Sequence, residues 1–306
     1  MNSRERVLCA LSHKTPDRVP VDMWFNDDSW AKFSNAVGAE DLSDFFRTDV
    51  RRIFFNPVNP LAALEPYPFP DRKFAFCTVE NLKAKTEAIH EKNLAVEGCP
   101  GSVCFEIATA KCGGLENILV SLAEGDSSLK KLLKEIADAK IDMMMKYASA
   151  GVDVIGTGDD FGTQRGLMMS PDMWREWFKP FIREAVEKVK NINPETAVKF
   201  HSDGNIWDII PDLIECGIDI INPVQPECMN IGELKKSFGN DICFWGGIGT
   251  QHVLPFGTPD EVKEDVRKTC SIMGGSGGFI LCSSHMVQEQ TPLENVFAFF
   301  EAAKQC

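Results

Sequence analysis

The sequence has no CxxC pair and no regular cysteine spacing, although eleven cysteines are scattered through its 306 residues. Neither a zinc ribbon nor a disulfide framework is indicated. It also lacks a cationic excess: 32 Lys and Arg stand against 45 Asp and Glu, a formal charge of −13. That balance argues against nucleic acid or an anionic membrane as partner, because both need a cationic face. The opening MNSRERVLCALSHKTPDR has no apolar signal core, and no apolar run approaches membrane-spanning length. The expectation is a cytoplasmic, reducing compartment, with most cysteines acting as inert core fillers. No GxGxxG follows the first apolar run, which removes support for dinucleotide binding. Repeats, low-complexity tracts and linkers are missing too, so residues 1–306 read as one domain.

What the sequence does contain is alternation. Apolar runs occur at 19–25, 51–57, 93–98, 153–158, 197–204, 219–225, 242–248 and 278–284. Between them lie amphipathic stretches such as MWREWFKPFIREAVEKVKN (173–191), with apolar residues at helical spacing. Thr258-Pro-Asp-Glu261 and Thr291-Pro-Leu-Glu294 read as capping boxes that start helices. Eight near-continuous apolar strands alternating with helices predict an α/β fold with a covered parallel sheet, and closing it gives a (β/α)8 TIM barrel. An open doubly wound sheet is the alternative. The Pro-rich stretch Asn56–Asp71 reads as a long loop on the active end.

In such a barrel, chemistry collects at the C-terminal ends of the strands. That rule selects Asp22, Asp159, Asp160, His201, Asp203, Gln225, Cys282 and His285. His201 and Asp203 are two residues apart on a strand, so their side chains share a face. With His285 arriving from the last strand they could supply three ligands and leave one open position, the arrangement of a catalytic zinc. A metal-free pair of hydrogen-bonded polar residues is the alternative. Asp159 and Asp160 point to opposite faces, so at most one enters the pocket; the other caps a helix or pairs with Arg165. Trp24, Phe25, Phe54, Phe105 and Trp245 are candidates for an apolar cavity wall, though barrel aromatics are more often core.

These segments carry a resemblance. NSRERVLCALSHKTPDRVPVD, GDDFGTQRGLMMSPDMWREWFKP, KFHSDGN, WGGIGTQHVLPFGTPDEV and GGFILCSSHMVQEQTPLENVFAFFEAA resemble, in order, the uroporphyrinogen decarboxylase–like superfamily. The resemblance implies a (β/α)8 barrel and one of two chemistries. True decarboxylases open with an Arg-rich segment of the MRQAGR type, whereas Val21-Asp-Met-Trp-Phe-Asn26 holds no arginine. A substrate with eight carboxylates then has no evident counter-charge there. Asp22 remains a counterpart of the decarboxylase's pyrrole-binding aspartate.

The other branch consists of zinc methyltransferases that exchange a methyl group with a corrinoid carried on a partner protein. Their pattern is His-x-Cys near strand 5 and a Cys before TPLEN. Here His201 matches the His, Asp203 replaces the first Cys, and His285 falls on the second, with Cys282 in reserve. The resemblance thus implies zinc on His201, Asp203 and His285, with Asp22, Asp160 and Gln225 as further catalytic candidates. Replacing two thiolates by Asp and His leaves the metal a stronger Lewis acid. That favours a methoxy or methylamine-type donor. No DxHxxG corrinoid motif occurs, so the cobalt arrives on a separate protein. A small-molecule donor or acceptor is the other partner, and a homodimer is admitted. A porphyrinogen lyase and a non-catalytic ligand-binding paralogue are the competing readings.

Overall fold

The computed structural model describes residues 1–55 and 76–306. The loop expected at Asn56–Asp71 lies outside the described residues. The strands are β1 (Val50–Phe55), β2 (Phe76–Cys77), β3 (Ala95–Ser102), β4 (Val154–Gly158), β5 (Ala197–His201), β6 (Ile220–Asn222), β7 (Cys243–Ile248) and β8 (Phe279–Ser283). All pair in parallel, in the order β2-β1-β3-β4-β5-β6-β7-β8. Helices alternate with them, as the α/β barrel pattern requires. Among the described residues no helix is long and apolar enough to cross a membrane.

The first expected strand, residues 19–25, needs correction. It is not a ladder; isolated bridges join Val21 to Leu281 of β8 and Phe25 to Val287 in the segment after it. Pro20 has no N–H to donate, and the Val21 N–H goes to the Asp49 carboxylate at 2.8 Å. The segment still sits between the sheet's ends. Asp22 N–H donates to Leu281 O, and Asp49 N–H donates to Val21 O. Helix caps follow the sequence at Thr258, which forms its box with Glu261. They depart from it at Thr291, because that helix begins at Leu293 with Pro292 in the cap position.

Period-two alternation stacks the interior in layers. Val50, Ala95, Val154, Ala197, Ile220, Cys243 and Ile280 form an apolar bottom, plugged by Val7 of the N-terminal helix Ser3–Leu11. Two residues further along these strands come Arg52, Glu97, Gly156, Lys199, Asn222, Trp245 and Cys282. Charge therefore enters the barrel in its second layer. A Cβ on Gly156 would stand 2.1 Å from Glu97 Oε1 and 3.1 Å from Lys199 Cε. The missing side chain leaves room for the Glu97–Lys199 ion pair to cross β4. Gly156→Ala should therefore cost about 1–3 kcal/mol by overpacking. A urea titration reads this as a lower midpoint, and an unchanged midpoint would show that the pair moves aside freely.

Candidate functional site

The second layer is an ion network. Arg52 forks onto both Asp22 oxygens and reaches Glu97 Oε2 through Nε at 3.0 Å, while Lys199 pairs with Glu97 Oε1. Trp245 Nε1–H donates to Asp22 Oδ2 at 3.1 Å, and Cys282 Sγ lies 3.6 Å from the same oxygen. Burial by itself would push the Asp22 carboxyl up. Arg52, Lys199 and the indole outweigh it and hold the acid below its ordinary range. Burial and the Asp22 charge drive the Cys282 thiol well above its ordinary value, so it is a neutral thiol in the floor.

Above this floor is a cavity of about 290 Å³ lined by Trp24, Phe54, Ile107 and Met286, with Glu106, Asp160, His201 and His285 among its polar walls. Trp24 is the hinge between the two levels. Arg52 lies 5.1 Å from its ring centroid, and the His201 and His285 rings are centred 6.0 and 6.1 Å away. Of the other aromatic candidates, Phe54 lines the cavity. Trp245 sits below it, and Phe25 and Phe105 are core.

His201 ends β5, and its orientation is set from β6. Asn222 donates through Nδ2 to Trp245 O at 2.8 Å, which turns its Oδ1 toward His201. The Nδ1–H of His201 donates to that oxygen at 2.6 Å. His201 Nε2 then faces two carboxylates, Asp160 Oδ1 and Asp203 Oδ1, each at 3.7 Å. One donor atom from each of Asp160, His201 and Asp203 falls within 4.8 Å of the others.

The loops carrying the two acids are pressed together. Asp203 N–H donates to Asp160 Oδ1 at 2.8 Å and Asn205 N–H to Thr163 O at 2.7 Å. Gly204 has φ +82, and a Cβ there would stand 2.5 Å from the Gly162 carbonyl carbon, so only glycine fits.

His285 is set to one side. Its Nε2 is 3.6 Å from Asp203 Oδ2, and its ring centroid is 6.4 Å from that of His201. Zinc–nitrogen bonds near 2.0–2.1 Å cap the separation of two ligating nitrogens at about 4 Å. Among the described residues the donor cluster is Asp160, His201 and Asp203, and the expected third ligand His285 falls outside it. Gln225 Oε1 accepts from Gly204 N–H at 3.2 Å and so braces the Asp203 turn. Asp159 turns away from the cavity and accepts from the N–H groups of Cys104 and Glu106, capping the helix Phe105–Lys111.

Arg52, Glu97, Lys199, Glu106 and Asn222 were not among the residues singled out from sequence. The signal was present: Lys199 and His201 share a face of AVKFH, and Arg52 and Glu97 interrupt apolar strands.

A family model described as uroporphyrinogen decarboxylase (URO-D) matches residues 76–306. The chain belongs to the uroporphyrinogen decarboxylase family. Curated relatives include uroporphyrinogen decarboxylase 1 of Oryza sativa subsp. japonica, 24% identical over 79% of this chain and 58% of that protein. Another is the uroporphyrinogen decarboxylase of Trichodesmium erythraeum, 26% identical over 68% of this chain and 56% of its own length. The chain thus spans a little over half the length of these relatives. A solved methyltransferase from Methanosarcina mazei superposes over 100% of this chain and 99% of its own, with a TM-score of 0.68 and 18% identity. That likeness carries the barrel fold.

Glu106 joins this URO-D cavity as a proton holder. Burial first, then Asp159 and Asp160, push its carboxyl from 4.5 up to about 8. The folded state therefore keeps a proton that the unfolded chain has released across that interval, and stability falls as pH rises through it. In metal-free protein, Glu106→Gln should stabilise at pH 8 relative to the native sequence and change little at pH 5. Denaturant melts at both values check this; an equal change at both would show that Glu106 titrates normally.

Proposed function

We propose that this protein is a zinc-dependent methyltransferase moving a methyl group between a small methoxylated or methylamine-type substrate and a corrinoid carried on a partner protein. The observation that carries the reading is His201 Nε2, its ring oriented by Asn222, facing the carboxylates of Asp160 and Asp203 at 3.7 Å each. Three lone-pair bearers converging in this way fit a divalent cation, and imidazole plus carboxylate is a competent zinc set. We assign His201, Asp203 and Asp160 as the holding residues, with His285 as the further donor beside Asp203. A zinc held there supplies Lewis acidity toward the oxygen or nitrogen that loses the methyl group.

The chain's own groups do the rest. Trp24, Phe54 and Met286 give the methyl-bearing end an apolar wall that excludes water. Glu106, kept neutral at pH 7, can give its proton to the departing oxygen or nitrogen. Asp22 is tied up by Arg52 and acts on the shape of the floor, while Gln225 steadies the Asp203 turn. The corrinoid is brought by a separate protein, and the M. mazei methyltransferase has the same fold.

The relatives' names favour porphyrinogen decarboxylation. Against that reading, Arg52 is the one arginine lining the described cavity, and it is already paired with Asp22 and Glu97. It has no charge to spare for a substrate with eight carboxylates.

Purified protein should hold about one zinc per chain, and His201→Ala and Asp160→Ala should lose it. Asn222→Ala should weaken zinc about 10–100-fold by freeing the His201 ring. A methoxy or methylamine donor should methylate an added Co(I) corrinoid protein, seen as the methyl-cobalt spectrum. Uroporphyrinogen should give no coproporphyrinogen. A protein that binds no zinc yet turns over uroporphyrinogen would sink the proposal.

A further inference from the structure

The cavity has a third cation, Lys140, which neither the floor network nor the donor set uses. It belongs to the helix Ser127–Ser149 on the outside of the barrel, yet it lines the cavity and is only 1% exposed. The register between β3 and β4 explains how it gets there. Gly98 pairs with Ile155 and Gly101 with Thr157, so β3 spends one residue more than its neighbour. Such a bulge breaks the ladder locally and re-aims what lies beside it. Thr157 Oγ1 closes the gap onto Gly101 O at 2.8 Å. The Pro100 carbonyl accepts from Lys140 Nζ at 2.7 Å.

That carbonyl takes one of the three donors of an ammonium. Among the described residues Lys140 forms no ion pair, whereas Arg52 and Lys199 are both matched by carboxylates. A buried ammonium with no carboxylate in ion-pair contact is expensive to keep. Burial pulls Lys140 down to about 8, against the opposing pull of Asp159 and Glu106. Ser102 and Glu106 line the neighbouring wall, with the serine hydroxyl hydrogen-bonded to the Glu106 carboxyl. The metal donors stand on the β5 side and the apolar residues Trp24, Phe54, Ile107 and Met286 complete the cavity.

We propose that Lys140 is the anchor for a carboxylate on the methyl donor, so that the enzyme selects carboxylate-bearing donors over their neutral analogues. This rests on reading the cavity as a methyl-donor site. The carboxylate could be carried by a methoxylated aromatic acid or by an N-methylated amino acid, and matched probes separate the two. Titration calorimetry on zinc-loaded protein, without corrinoid or turnover, would compare 3-methoxybenzoate with methoxybenzene, and N,N-dimethylglycine with dimethylethylamine.

In at least one pair the acid should bind about tenfold tighter or more, the scale of a charge-assisted hydrogen bond. Lys140→Met should bring that ratio to within about twofold of unity, and Lys140→Arg should keep part of it. Thermal melts confirm folding, and Lys140→Gln serves if the Met variant does not fold. Native protein that prefers neither acid, or binds no probe, overturns the anchor, as does a preference that survives loss of the ammonium. If methyl transfer to cobalt fails while the acid preference stands, the methyl-transfer reading falls and the carboxylate site remains.

Discussion

Four charges are buried in the second layer of the barrel, and the arrangement above them depends on their balance. Asp22 and Glu97 match Arg52 and Lys199 one for one, and the pairs share members: Arg52 touches both acids, and Glu97 touches both bases. Isolated ions at this depth would be strongly unfavourable, and removing one partner of a buried pair costs about 3–5 kcal/mol. Burial works against charge on Arg52, yet Asp22 and Glu97 outweigh it and raise the guanidinium above its ordinary value. Asp22 and Arg52 therefore stay ionised, and the network fixes its neighbours. Lys199 lies 4.3 Å from the Trp245 ring centroid, and Arg52 and Lys199 both underlie Trp24. The floor of the cavity is rigid because every charge in it is already answered.

The rim is the opposite case. Glu106, Asp159, Asp160 and Asp203 stand near two imidazoles, His201 and His285, and the Lys140 ammonium. Burial, together with charge from Asp160, pushes Asp159 up to about 7 although backbone N–H groups of the helix Phe105–Lys111 solvate it. Burial likewise raises Asp203, with His201 pulling the other way and Asp160 adding to the rise. Carboxyls displaced upward mark a place where negative charge is under-compensated. One cavity thus has a charge-balanced floor and an acid-rich rim.

Much of the fold was legible, because alternating apolar runs and amphipathic helices leave few topologies. The departure came at residues 19–25, where an apolar run looked like a strand. Hydrogen-bond supply, which Pro20 and the Asp49 carboxylate alter, decides pairing, and apolar patterning does not report it. The site was legible only in part. Strand-end position selected Asp160, His201, Asp203 and His285, but chain spacing could not say which acid would face which imidazole. The structure brings Asp160 to His201 because the β4 and β5 loops meet at Gly162 and Gly204, a contact that neither strand announces alone. Arg52, Glu97 and Lys199 stayed unread for a related reason. Each is a single charge within an apolar strand, and only the register across β1, β3 and β5 shows that the three converge. Lys140 was further out of reach, since a lysine on an amphipathic helix reads as solvated unless the bulge in the adjacent strand is known.

The floor and the rim are joined by one side chain from each of two strands. Trp245 on β7 donates its indole N–H to Asp22 in the ion network, and its main-chain carbonyl accepts from Asn222. Asn222 on β6 spends its other end on His201. The imidazole that faces the acids is therefore oriented by a chain of hydrogen bonds starting at the buried aspartate. Asp22, Trp245 and Asn222 are all buried, so the His201 ring orientation rests on groups shielded from solvent. The acids arrive differently, on the loops after β4 and β5, held by backbone contacts and a glycine. The imidazole is thus held through side chains of the barrel, and the carboxylates through the backbone of two packed loops.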